Sequence, residues 1–486
     1  MGMRLDQILR GLDSHTLEGD PGTEIESLAF DNRKVIPGAL FFCVRGLDSD
    51  GHDYAAAAVE AGAVALLCER SLGLGVPEVL VPDSRAAMAL AAAAFHEFPT
   101  ADLKVAGITG TNGKTTTAFL LHDILEFAGI HSGLMGTVKQ LVGGEEEAVE
   151  RTTPEAIDLQ AAFRRMDDAG DEACVMEVSS HALVMHRCDA IQFDVAVFTN
   201  LTQDHLDFHE DMEEYFAAKR LLFVSGPGVS VVNIDDPYGQ RLATEFETIT
   251  YSAEGNAADY TASEVQFDAT GADFLVESEH GDLIVRTALP GRFNVANALA
   301  ALAASISLGV DPEDAVAALA GAGRVPGRFE PIDEGQDFAV LVDYAHTPDS
   351  VENALRAARD LGDDRLIAIV GAGGDRDRAK RPLMGRAASE IADIAIITSD
   401  NPRSEDPAAI VEDVLEGIEN RDSVEVELDR SAAIRLAVNL AAPGDTIVIA
   451  GKGHEQGQEF ENGRKIPFDD REVAREHLRE RIGDAG

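Results

Sequence analysis

No apolar stretch of the chain reaches about 18 residues without a charge, the length a membrane-spanning helix needs. Its first twelve residues carry Arg4, Asp6 and Arg10 where a secretory signal would carry an apolar core. Neither membrane insertion nor secretion is expected. The four cysteines, Cys43, Cys68, Cys174 and Cys188, form no C-x-x-C pair. Three of them sit in apolar strand-like runs (FFCV, LLCE, ACVM), which favours buried reduced thiols over disulfides or zinc and fits a cytoplasmic protein. Basic residues are scarce, 40 Lys and Arg against 87 Asp and Glu, for a formal charge of −47. That field repels nucleic-acid phosphates and anionic membranes, so no nucleic-acid partner is expected. An anionic substrate would need a cleft where Arg, Lys, backbone N–H groups or metal ions reverse the sign. Only 8 of the basic residues are Lys, so Lys114, Lys219 and Lys452 come from a small set. The acidity itself reads as a solvated surface suited to high salt.

What is present is a globular chain of 486 residues, 45% hydrophobic and 26% charged, long enough for two to four domains. Strand-like and helix-like runs alternate throughout. Leu40 to Val44, a helix from Tyr54 to Ala61, Val64 to Leu67, Val79 to Val81 and a helix from Ser84 to Phe98 predict a small α/β domain over residues 1–100. A second alternating block opens at Lys104 to Thr109, continues through Val175 to Val178 and Val195 to Thr199, and turns β-rich from Ser230 to Leu289. A helix from Asn294 to Leu308 follows. The Gly- and Pro-rich stretch GAGRVPGR then marks a boundary, giving domains over 101–327 and 328–486. In the last domain Val340 to Val342, Leu366 to Val370, Ile394 to Thr398 and Thr446 to Ala450 are separated by helix-length segments, the pattern of a parallel sheet.

GTNGKTT, from Gly110 to Thr116, lies between an apolar strand and a helical run. There Gly110 and Gly113 let the N–H groups of Thr111, Asn112 and their neighbours crowd around phosphate oxygens. Lys114 supplies a cation, Thr115 a hydroxyl for magnesium, and Thr116 continues into the helix. The first Gly of the general phosphate-loop pattern is replaced by Ile108. Glu177, followed by Ser179, and Asp204-His205 stand at the ends of further strands, where an open α/β sheet gathers ligands for a metal beside such a loop. In MEEYFAAKRLLF, Tyr215, Lys219, Leu222 and Phe223 share one helical face and Arg220 does not. A desolvated Lys219 favours the neutral amine, which can act as a nucleophile or take up carbon dioxide as a carbamate. A snorkelling Lys at the core edge is the alternative. Asp343, GAGGDR, DNPR and GKGHE all begin at carboxyl ends of the last sheet's strands. GAGGDR has Arg376 where a dinucleotide fingerprint has its third Gly, which disfavours a nicotinamide enzyme. The array of carboxylates, Arg and amides suits a zwitterionic small molecule.

GTNGKTTT, TTP, MEVSSHAL, FTNLTQDHLDFH, YFAAKRLLF, GRFNVANALAA, VDYAHTPD, GGDRDRAKRPLMG, DNPRSEDP and GKGHE, in this order, make the chain resemble the Mur ligase family, and within it the MurE type. The resemblance implies three α/β domains: an N-terminal one for the UDP end of the substrate, a central P-loop-type ATPase domain with a parallel sheet, and a C-terminal Rossmann-like domain for the incoming amino acid. It implies ATP-dependent amide ligation through an acyl phosphate, adding meso-diaminopimelate to the D-glutamate of UDP-N-acetylmuramoyl-L-Ala-D-Glu during peptidoglycan precursor synthesis. A monomer binding only small molecules and two magnesium ions is implied as well. By position, Lys114, Glu177, His205 and Lys219 would be catalytic. Thr115 and Glu177 would hold one magnesium, and His205 with Lys219, carbamylated to N6-carboxylysine, the other. Residues 110–116, Asn294, Asn297, Arg328 and Asp343 would contact ATP. Phe30, Asn32, Thr152, Thr153, Ser179 and Arg187 would contact the UDP-muramoyl peptide. Arg376, Asp400, Asn401, Pro402, Arg403, Gly451 and Glu455 would bind diaminopimelate. The chain reads DNR at 31–33, where many members read DSR, and Met185 replaces a Gln found in some. A ligase using lysine, or one like folylpolyglutamate synthetase, is the near alternative; DNPR with GKGHE argues against the latter. A nucleotide-dependent switch would have no reason to keep Glu177, His205, Lys219 and the amino-acid cluster together.

Overall fold

The computed structural model describes residues 2–12, 14–46, 49–268, 271–362 and 364–484. The chain divides into two compact units. One comprises residues 1–109, 129–196 and 218–229, the other residues 110–128, 197–217 and 230–486.

In the first unit Ala39–Phe42 and Ala63–Cys68 are unbroken apolar runs, as strands covered on both faces require. They form a five-stranded sheet in the order Thr16–Glu18, Glu78–Leu80, Ala63–Cys68, Ala39–Phe42, Ser27–Ala29, with only the first strand antiparallel. Helix Ser84–Phe95 is capped by Asp83, whose carboxylate accepts from the N–H groups of Arg85 and Ala86. Its Met88, Ala91 and Ala92 share a core with Leu40, Phe42 and Leu67. This helix stops short of the expected Phe98. Glu97 and Phe98 turn left-handed (φ 61° and 54°), the Phe98 N–H returns to the Ala93 carbonyl, and Pro99 blocks continuation. In the same unit Ala173–Glu177 lies parallel between Lys104–Thr109 and Ser132–Met135. All four cysteines are buried free thiols, as expected.

In the second unit the phosphate-loop segment opens helix Lys114–Phe127. The β-rich patch forms a run of strands, Ile249–Ser252, Tyr260–Asp268, Gly271–Ser278 and Leu283–Thr287, followed by helix Arg292–Ser307. The last sheet has the order Glu330–Pro331, Ala339–Asp343, Thr446–Ala450, Leu366–Ala372, Ile394–Ser399, Val424–Val426, and all but the first strand are parallel. Alternation splits its core in two. Ile367, Ile369 and Ile447 pack with Ala433, Ile434 and Ala437 of helix Arg430–Leu440, while Ala368, Val370 and Val448 pack with Leu355, Met384 and Ile410. The last parallel strand in chain order, Thr446–Ala450, inserts beside the first, so the strand order reverses there and a crevice opens at the carboxyl ends. Among the described residues no helix is long and apolar enough to cross a membrane.

Candidate active site

Two glycines shape the phosphate loop. Gly110 has φ 151° and Gly113 φ 86°, and a Cβ would stand 1.9 Å from Thr199 Oγ1 at the first and 2.4 Å from Asn297 Oδ1 at the second. The loop is laced to the segment after strand Val195–Phe198. The N–H groups of Thr111 and Asn112 donate to the Asn200 carbonyl and side-chain oxygen (both 2.9 Å), and the Thr199 hydroxyl donates to the Asn112 carbonyl at 2.6 Å. Thr111 Oγ1 bonds the Thr202 backbone and lies 3.2 Å from the Tyr215 hydroxyl. Lys114 Nζ donates to the carbonyls of Gly110 and Thr111, both at 2.9 Å. Arg328 lies over the Tyr344 ring at 4.4 Å and donates to Thr115 Oγ1 at 2.9 Å. The Asp343 carboxylate accepts from the N–H groups of Phe329 and Ala345, and burial raises its pKa against the pull of Arg328. Asn294 and Asn297 are buried beneath the loop. Asn297 Oδ1 accepts from Thr117, its amide donates to Asn294 Oδ1, and Asn294 donates to the Pro290 carbonyl. These two asparagines support the loop from below.

His205 follows in a left-handed backbone (φ 55°) with Nε2 3.4 Å from Asp204. Burial would raise the Asp204 carboxyl, but His205, Lys380 and His346 surround it and hold it well below the ordinary range.

The first unit carries the other group of expected residues. Glu177 ends its strand almost fully buried. Its Oε1 accepts from the Thr137 N–H at 2.8 Å and its Oε2 from the Thr137 hydroxyl at 3.1 Å, and that hydroxyl is 3.0 Å from Thr152 Oγ1. Thr153 donates to the Glu177 carbonyl and Ser179 caps helix Ser180–Val184. Arg187 donates to the Thr153 carbonyl and pairs with buried Glu155 at 2.8 Å, a carboxylate also reached by Arg85 and Arg151. Burial pulls the Arg187 guanidinium below its ordinary value, against the attraction of Glu155. Phe30 packs at the edge of the N-terminal core, and Asn32 opens the short turn Asn32–Lys34. Lys219 is 2% exposed and Tyr215, Leu222 and Phe223 are buried, while Arg220 is half-exposed, so the predicted apolar face exists.

At the crevice of the last sheet Asp400 and Asn401 are buried, Pro402 carries the turn, and Arg403 Nε bonds Glu459 at 3.0 Å while its Nη1 donates to the Gly374 carbonyl at 2.7 Å. Burial opposes ionisation of Asp400, but Lys452 and Arg430 hold its carboxyl below the usual range. Gly451 (φ 121°) leaves room for Asp400, whose Oδ2 would lie 2.4 Å from a Cβ there. Glu455 is held by Asn401 and Lys452, each at 2.8 Å. Arg376 is exposed and donates to the Asp375 carbonyl. The second unit ties this crevice to the phosphate loop: Asn112 donates to Asp349 at 2.9 Å, Gln203 to Asp377 at 3.2 Å, and Lys380 faces Asp204 at 3.5 Å.

The model of the Mur ligase middle domain matches residues 108–305, that of the Mur ligase glutamate ligase domain residues 327–453, and that of the Mur ligase family catalytic domain residues 24–96. The UDP-N-acetylmuramoyl-L-alanyl-D-glutamate–2,6-diaminopimelate ligase of Geobacillus thermodenitrificans is 47% identical, over 99% of this chain and 100% of its own. This chain belongs to the Mur ligase family. The three matches follow one another along the chain in the three-domain Mur ligase architecture. A solved UDP-N-acetylmuramoyl-L-alanyl-D-glutamate–2,6-diaminopimelate ligase covers 99% of this chain and 100% of its own at 32% identity, with a TM-score of 0.70. A Mycobacterium tuberculosis folylpolyglutamate synthase solved with ADP and AMPPCP covers 82% of this chain and 95% of its own at 20% identity and a TM-score of 0.62, a likeness of fold alone.

Sequence reasoning quoted FTNLTQDH without assigning Asn200 and Thr202, which hold this Mur ligase's phosphate loop. Their place directly after a strand in the same motif was the available signal. Asp349, Lys380, Arg430 and Lys452 also went unassigned, and for Arg430, on an ordinary amphipathic helix, no local signal exists.

Proposed function

We propose that this Mur ligase uses ATP to join meso-diaminopimelate to the γ-carboxylate of D-glutamate in UDP-N-acetylmuramoyl-L-Ala-D-Glu, a step of peptidoglycan precursor synthesis. The observation that carries the reading is the 47% identity, end to end, with a relative of that name. The phosphate loop and the DNPR and GKGHE loops, gathered in one compact unit, support it. Residues 1–100 would take the UDP end, 101–327 ATP, and 328–486 the amino acid. The enzyme would act as a cytoplasmic monomer.

A carboxylate is a poor acyl donor, so a γ-carboxylate oxygen first attacks the γ-phosphorus of ATP and the bond to ADP breaks. The amine of diaminopimelate then attacks the acyl-phosphate carbon, the C–O bond to phosphate breaks, and the amine's proton is released. The loop N–H groups of residues 110–116 and Lys114, exchanging its two carbonyls for phosphate oxygens, neutralise charge as it moves. Arg328 and Asp343 stand at the same loop, and Asn294 and Asn297 fix its shape. Thr152, Thr153, Ser179 and Arg187, with Phe30 and Asn32, would hold the nucleotide-linked peptide.

The donors at Thr115, Glu177, His205 and a carbamylated Lys219 are a hydroxyl, carboxylates and an imidazole, a mainly oxygen set that fits magnesium. Thr115 Oγ1 already accepts a hydrogen bond from Arg328 and keeps a second lone pair. Magnesium held there would screen the phosphate charge. Lys219 would gain its carboxylate when its neutral amine adds to carbon dioxide and releases a proton.

The test is phosphate release from ATP with the nucleotide dipeptide and each candidate amino acid. Release that depends on diaminopimelate supports the reading, equal use of lysine moves the specificity, and release that needs no amino acid favours a nucleotide switch.

A further inference from the structure

Lys452 is completely buried, and nothing in the ligase chemistry above uses it. Its Nζ donates to Asn401 Oδ1 and to Glu455 Oε2, both at 2.8 Å, and stands 3.9 Å from Asp400 Oδ1. The Asn401 amide is thereby fixed in one orientation. Its oxygen accepts from Lys452 and from the Glu459 N–H at 2.9 Å, and its nitrogen donates to the same Glu455 Oε2 at 2.8 Å. Two donors therefore converge on one oxygen of a carboxylate that keeps 30% of its side chain exposed. Glu459 in turn bonds Arg403 twice, through its carbonyl to the Arg403 N–H at 3.1 Å and through its carboxylate to Nε at 3.0 Å. One ammonium thus stands at the junction of two arms. One arm ends in the crevice's exposed anion, Glu455, and the other in its guanidinium, Arg403.

Below it the charges alternate. Asp400 is flanked by Lys452 and Arg430, and Arg430 is clamped on buried Asp470 through two bonds of 2.7 Å. A buried ion pair held this way contributes little net stability over an apolar replacement, but it fixes geometry and is costly to break from one side.

We propose that Lys452 is the positioning residue for the incoming amino acid. By saturating Glu455 Oε2 and locking Asn401, it turns the other Glu455 oxygen toward a ligand ammonium while setting the strand that carries Arg403's partner. The ligand class is a zwitterion with an ammonium and a carboxylate at matching separation. This rests on the ligase reading above.

The experiment is steady-state kinetics on the full-length enzyme, beginning with wild type, whose diaminopimelate-dependent ADP release tests the reading itself. Lys452→Met should raise the KM for diaminopimelate about 30-fold or more, the loss expected when one member of a buried charge group is removed. The value of kcat at saturating amino acid should fall far less, and the KM values for ATP and the nucleotide dipeptide should stay within about 3-fold. A merely structural role would shift all of them together, and that result overturns the proposal. In a Glu455→Gln background the same change should add much less than it does alone, because the carboxylate it orients is gone. Independent, multiplying effects overturn it too. If Lys452→Met does not fold, Lys452→Gln, which keeps a donor without the charge, carries the same test: a selective rise in diaminopimelate KM supports the proposal, and an unchanged or uniformly shifted set of constants sinks it. An inactive wild type would instead count against the ligase reading.

Discussion

Arg403 adopts a left-handed backbone (φ 51°), which costs a non-glycine residue about 1–2 kcal/mol, and spends two of its five donors on Glu459 and Gly374. That leaves three donors of a planar fork available to a carboxylate. Diaminopimelate differs from lysine by a carboxylate on the far carbon, so Arg403→Ala should lower kcat/KM for diaminopimelate by about 10²-fold or more while sparing ATP and nucleotide-dipeptide binding. An equal loss with lysine, measured in the same assay, would contradict this, since lysine has no second carboxylate to lose. Lys219, buried on its helix, is likewise tested by a single substitution. Its side chain is 2% exposed, and the proposed carbamate would form when its neutral amine adds to carbon dioxide. If it has the proposed metal-holding role, Lys219→Ala should cost about 10²–10³-fold in kcat. Isotope-labelled bicarbonate should place a carbamate signal on the wild type alone, and a free amine in active, metal-loaded enzyme would refute the modification.

Two loops of the last sheet converge on one acid. Glu405 accepts from the Asp375 N–H, from Arg378 and from fully buried Arg381, and Arg381 also holds Asp413 of helix Pro407–Leu415. The Arg381 hydrogen bonds, against the opposing effect of burial, lower the Glu405 pKa to about 2 from 4.5. A folded-state value below the unfolded one means that the carboxylate's stabilisation is complete above about pH 4.5 and disappears as pH falls toward 2. Glu405→Gln should therefore cost about 1–3 kcal/mol at pH 7. The gap between the melting temperatures of wild type and variant should close between pH 4.5 and 2; a constant gap would show that the ionised form is not what matters. Such ties explain which elements were legible. Lys104–Thr109 and Thr446–Ala450 were read to the residue because a doubly covered strand announces itself in an unbroken apolar run. The phosphate loop was legible because its glycines, lysine and helix start are contiguous. Helix Ser84–Phe95 was overextended because the left-handed turn at Glu97 and Phe98 breaks no local propensity rule strongly. Arg430 with Asp470, forty residues apart, and Glu155 with Arg85 and Arg187 are long-range pairings that no window of sequence contains.

On the scale of the molecule, one quantity opposes all of these local attractions. The chain carries −47, and three of its eight lysines, Lys219, Lys380 and Lys452, are buried. Some of the cations available to neutralise the acidic exterior are therefore held inside. Exposed pairs such as Arg241 with Glu213 are worth about 0–1 kcal/mol each and weaken with salt, whereas repulsion among dozens of unmatched carboxylates acts over the whole surface and weakens with salt too. The sign of the net response follows from the imbalance: with more than twice as many acids as bases, screening removes more repulsion than attraction. The Debye length falls from about 10 Å at 0.1 M to about 3 Å at 1 M, so exposed charges farther apart than that are largely screened. Buried groups such as Arg430 with Asp470 are screened least, so the folds around the sites keep their internal pairs while the surface relaxes. The melting temperature should accordingly rise steadily from low to molar potassium chloride. Variants that replace exposed acids by Gln or Asn away from the sites should start higher at low salt and gain less from added salt. A melting temperature that is flat or falls over that range, or charge-reduced variants that respond as wild type does, would show that the acidity is not the term that limits stability.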